Sequence, residues 1–81
     1  MANSIIATEQ RDIKFAETAD STYSVALRLH ALLAMTYGCQ GDSFRAMNDD
    51  LQDRFLWQCA EMANEVMAGL EAMATGEMAR A

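Results

Sequence analysis

The chain has 81 residues, a formal net charge of −6, two cysteines, four glycines and no proline. That length allows a single domain, and a composition led by good helix formers points to an all-α protein. The acidic balance argues against direct nucleic-acid binding, which needs a basic patch, and no apolar run approaches the ~18 residues that mark a membrane span.

Residues 1–17 carry Ile5, Ile6, Ile13 and Phe15 with no sustained period. The expectation is an irregular, partly mobile N-terminal arm. Two alternatives are an arm reaching to a second subunit, anchored by Ile13 and Phe15, and a short helix over Thr8 to Ala16. The start also lacks the basic region and long apolar core of a signal peptide, which implies a cytoplasmic protein.

Asp20, Ser21 and Thr22 are all good N-caps, and a helix is expected over residues 21–37. Its main stripe is Val25, Leu29, Leu32, Leu33 and Thr36. A second stripe runs through Tyr23, Leu27, Ala31, Ala34 and Met35. A helix apolar around so much of its circumference is buried on most sides. Gly38 is placed at the C′ position that ends it, and Cys39 to Asp42 form the turn.

A longer helix follows, over residues 44–74. Phe44, Met47, Leu51, Phe55, Cys59, Met62, Val66, Leu70 and Met73 recur at a mean spacing near 3.6, the period of a straight α-helix rather than a supercoiled heptad. Leu56, Trp57, Ala60, Ala63, Met67 and Ala74 form a flanking strip. Asp42 or Ser43 can cap it, and Phe44 to Met47 are expected to be helical already, as a separate turn; a later start, at Asn48 with Asp49 and Asp50 in the first turn, is the alternative. The short connection makes the two helices an antiparallel hairpin over residues 18–75. Residues 76–81 lose the period and are expected to fray.

For 8.9 kDa, a compact monomer exposes about 4,800 Å². Apolar burial and chain ordering then nearly cancel, each on the order of 120 kcal/mol. Self-association is the expected remedy, and two hairpins make a four-helix bundle. The residues expected at the interface are Leu27, Ala31, Ala34 and Met35 on the first helix, and Leu56, Trp57, Ala60 and Met67 on the second.

No catalytic, cofactor-binding or metal-binding set emerges, and an enzyme is not expected. His30 has no Cys, Asp or Glu three or four residues away, where a ligand or tuning partner would sit. Asp49, Asp50 and Asp53 are acids in the first turns of a helix, which stabilise it without any further role. Cys39 and Cys59 match no zinc or redox spacing and are expected to be free thiols.

The run Leu51-Gln-Asp-Arg-Phe-Leu-Trp-Gln-Cys-Ala-Glu-Met-Ala, after an Ala/Leu-rich first helix, resembles short bacterial helical-hairpin proteins of unknown function, some carried by prophages. The resemblance implies a hairpin fold and no activity.

The expected function is therefore a small acidic regulator or adaptor that self-associates and binds another protein. One alternative is a phage-type acidic inhibitor that blocks a host nucleic-acid-binding protein, for which Asp50, Asp53, Glu61 and Glu65 would line one face. Another is a small-ligand binder or enzyme using His30, Tyr37 and the Asp49/Asp50/Asp53 cluster.

Overall fold

A computed structural model describes the backbone of residues 2–75 and the side chains of residues 9–75. It is all-α, with no strand among the described residues. Helix α1 spans Ala2–Ala34, a 3₁₀ turn spans Cys39–Gly41, α2 spans Asp42–Ala46 and α3 spans Asp49–Ala74. Helices α1 and α3 pack against each other as the expected hairpin. The molecule is a rod of 62 × 19 × 15 Å with a radius of gyration of 18.1 Å, where a compact fold of this length would have ~12 Å.

The irregular arm is not found: from Ala2 to Glu17 the chain is helical and runs without interruption into α1. Asp20, Ser21 and Thr22 sit inside that helix and cap nothing. The physical reason is cooperativity. No glycine or proline breaks the chain before Gly38, and extending an existing helix costs far less than nucleating a new one. Each polar residue in the interior loses only about half a kcal/mol relative to alanine. The tail over 76–81 lies outside the described residues.

Helix α1 stops at Ala34, three residues before the expected end. Its last turn tightens, with the amides of Met35 and Thr36 donating to the carbonyls of Leu32 and Leu33 at 3.1 and 3.0 Å. Gly38 has φ 67° and ψ −159°, a region open essentially to glycine alone. It makes a sharper reversal than the left-handed C′ cap expected from sequence. Gly41 is needed for a different reason: a Cβ there would lie 2.7 Å from the carbonyl carbon of Thr36.

The longer helix is broken at Met47, whose ψ of 152° is extended, and α3 begins at the later of the two starts. Asn48 is its N-cap, with Oδ1 accepting the Leu51 amide at 2.9 Å. Gln52 Nε2 donates to the Met47 carbonyl at 2.8 Å. Arg45 donates to the Gly38 carbonyl at 2.9 Å and also pairs with Asp42. Phe44 meets Phe55 with ring centroids 5.2 Å apart. Thus α2 is tied both to the turn before it and to the start of α3.

The hairpin interior is thin. Val25, Cys59 and Met62 are its buried apolar side chains, with Thr22 beside them. The helices are in tight contact at Gly69, where an added Cβ would lie 2.0 Å from Thr22 Oγ1 and 3.1 Å from Thr22 Cβ. This contact sets the register. With Thr22 level with Gly69, Ala74 is level with Glu17. The first fifteen residues of α1 therefore overhang α3 by roughly 22 Å at ~1.5 Å per residue.

Two expectations follow. Gly69→Ala would stabilise an exposed helix, but here it is expected to destabilise by about 1–3 kcal/mol through overpacking. Thr22→Ala in the same chain should restore much of the loss in thermal denaturation. Asn48→Ala should cost about 1 kcal/mol in urea titrations, and Asn48→Asp, which keeps the acceptor, much less.

Candidate functional site

The side chains that bear chemistry do not converge. His30 is exposed on α1, and the residues three and four positions away from it are all apolar. Asp49, Asp50 and Asp53 are exposed in the first turns of α3. Asp50 Oδ2 is 3.1 Å from Arg54 Nη2, in a solvent-exposed pair of the kind that adds little stability. Among the described residues no group of three His, Cys, Asp or Glu is placed to hold a metal ion. A shallow depression of about 270 Å³ is lined by Gln10, Ile13, Lys14 and Glu17 on the overhanging part of α1. None of His30, Tyr37 or the three aspartates lines it.

Cys59 is buried on the inner face of α3, while Cys39 is exposed in the turn, and neither is in a disulfide. Burial pushes the Cys59 thiol above its ordinary pKa, because a thiolate loses hydration there. The unfolded chain therefore ionises this thiol first, and its contribution to stability is present below about pH 8.5 and declines as the pH rises above it. Cys39 is expected to react with a thiol reagent at an ordinary rate. Cys59 should lag until the hairpin opens, as a reagent titration with and without denaturant will reveal.

What remains is apolar surface. Seven of the eight residues expected at an interface are exposed in the single chain, and Ala34 is half-buried. Trp57 is 64% exposed, Met67 58% and Leu27 51%. Helical geometry sorts them, at roughly 100° per residue. On α3, Leu56, Ala60 and Met67 lie about 90° from the line through Cys59 and Val66 that faces α1. Leu70 falls between that line and this strip. On α1, Ala26 and Leu33 are turned to one side of the inner line, with Tyr23 beyond them.

These two strips lie on the same side of the hairpin. Right-handed helices that run antiparallel count residues in opposite rotational senses when viewed from one end, so an offset of the same sign on each turns toward the same face. That face gathers Tyr23, Leu33, Leu56, Met67 and Leu70, which are 39–66% exposed. The opposite side carries Ser21, Ser24, Arg28, Gln58 and Glu65, with Met35 and Leu51 as its exposed apolar residues. The hairpin thus has an oily side and a wet side.

The interface set expected from sequence divides accordingly. Leu56, Ala60 and Met67 are brought together. Leu27, Ala31 and Ala34 lie on the back of α1, Met35 is turned toward the polar side, and Trp57 points away from α1 altogether. Tyr23, Leu33 and Leu70 join the face but were not in that set. Sequence periodicity placed Leu33 and Leu70 on the inner stripes, and only the pairing of the helices reveals their tilt.

No protein-family model, curated protein or solved structure matches the chain.

Proposed function

We propose that the chain is a non-enzymatic interaction protein whose hairpin self-associates through its apolar side, forming a C2 dimer and a four-helix bundle. The observation that carries this reading is the surface. The chain exposes 6,061 Å², against about 4,800 Å² for a compact protein of its mass. The excess exceeds the ~800 Å² per partner that a standard stable interface covers. It includes a continuous apolar side to which both helices contribute. Two such sides placed face to face bury four helices around one core, with each helix apolar over the arc that faces its two neighbours.

No described helix is long and apolar enough to cross a membrane, and two free thiols suit a reducing compartment such as the cytoplasm. The role we assign is that of an adaptor or regulator that presents its remaining surfaces to another protein.

Light scattering on the purified chain is expected to give twice 8.9 kDa at micromolar concentration. Leu56→Asp and Met67→Asp should each shift the mass toward the monomer and lower the thermal midpoint. A wild-type monomer at high concentration, with a fully protected hairpin, would sink this reading.

A further inference from the structure

The outer face of α3 differs from the rest of the molecule in charge. Helix α3 holds six carboxylates against the single Arg54, a net −5, whereas the whole chain carries −6. Helix α1 is close to balanced, with four carboxylates and three cationic side chains among Ala2–Ala34. Within α3, Trp57 stands 64% exposed on the side turned away from α1.

Asp53 and Glu61 flank Trp57 at four residues on either side, so they lie above and below its ring on one surface of the helix. Both are exposed, and neither takes part in a hydrogen bond or ion pair among the described residues. The nearby cation, Arg54, is drawn back to Asp50. An indole face between two uncompensated carboxylates attracts a guanidinium, which is held over the ring by its quadrupole and drawn in by the flanking charge.

The spacing adds a register. Asp53, Trp57 and Glu61 follow one another at steps of about 6 Å along the helix. Alternate residues of an extended strand are about 6.6 Å apart. The geometry points to a docking face for an extended basic segment of another protein, one carrying cationic residues at alternate positions. Its central arginine lies on Trp57, and its outer cations meet Asp53 and Glu61. On the helix, Trp57 and Glu61 are turned about 80° and 120° from the strip through Leu56, Ala60 and Met67, while Asp53 borders that strip; the inference does not require the bundle to form.

Trp57 is the one tryptophan in the chain, so its emission reports this face directly. The probe is the capped peptide Arg-Gly-Arg-Gly-Arg at low ionic strength, followed by Trp57 fluorescence and, with a dye label, by anisotropy. Saturable quenching of Trp57 is expected, with a lysine version of the peptide at least about threefold weaker. Asp53→Asn with Glu61→Gln should weaken binding about tenfold, and Trp57→Leu about fivefold. These are surface changes, and circular dichroism will verify that the helices persist. Trp57 emission unchanged at saturation, or full affinity in either variant, would overturn the proposal. Sedimentation of the same samples separates it from self-association. Loss of the dimer in Leu56→Asp with peptide binding retained supports it, whereas a Trp57→Leu variant that becomes monomeric places Trp57 beneath a second copy and overturns it.

Discussion

The contact between Thr22 and Gly69 governs this structure. The side chain of Thr22 fills the space that a Cβ at Gly69 would take, and the contact ties the two helices in one register. Val25, Cys59 and Met62 are the apolar side chains buried between the two helices. The overhang of α1 follows from the same register, and the shared side of the two apolar strips follows from the antiparallel sense of the helices. A glycine in mid-helix costs about 1 kcal/mol in propensity. Here the missing Cβ leaves room for the branched side chain of the opposite helix.

Two antiparallel helices alone cannot make much of an interior. Each presents a cylinder, and contact along one line shelters only the residues on that line. The hairpin therefore buries few side chains and leaves the flanks of both helices open. The turn is better fastened than the rods. Asn48, Gln52 and Arg45 satisfy backbone groups around the reversal, and Phe44 covers Phe55. The chain invests its polar contacts in holding the reversal and leaves its apolar side uncovered.

The helical class, the hairpin, the alternative start at Asn48 and most of the inner stripe of α3 were legible in the sequence, although Leu51 and Leu70 of that stripe are exposed. Each rests on local chemistry or on a long clean period. The continuity of α1 was not legible, because Asp20, Ser21 and Thr22 are competent caps and nothing local reveals that the helix has already begun. Gly69 was also missed. A glycine inside a helical pattern signals close approach, but its partner, Thr22, is 47 positions away. The apolar surface was anticipated, whereas its division between one side, the back of α1 and the outer face of α3 was not. Periodicity gives angles around each helix, and only the pairing of helices turns those angles into common faces.

The unaccompanied stretch of α1 has a geometric corollary. It projects past the end of α3, so the described residues form a rod that is polar along its length, with the α1 overhang as a handle at one end and the turn at the other. If the dyad of a pair of hairpins lies across the rod, the two handles leave from opposite ends and the assembly resembles a bar with a grip at each extremity. If the dyad lies along the rod, both handles leave side by side and form a fork. In such a pair, the direction of one symmetry axis decides whether the two handles stand at opposite extremities or at the same one.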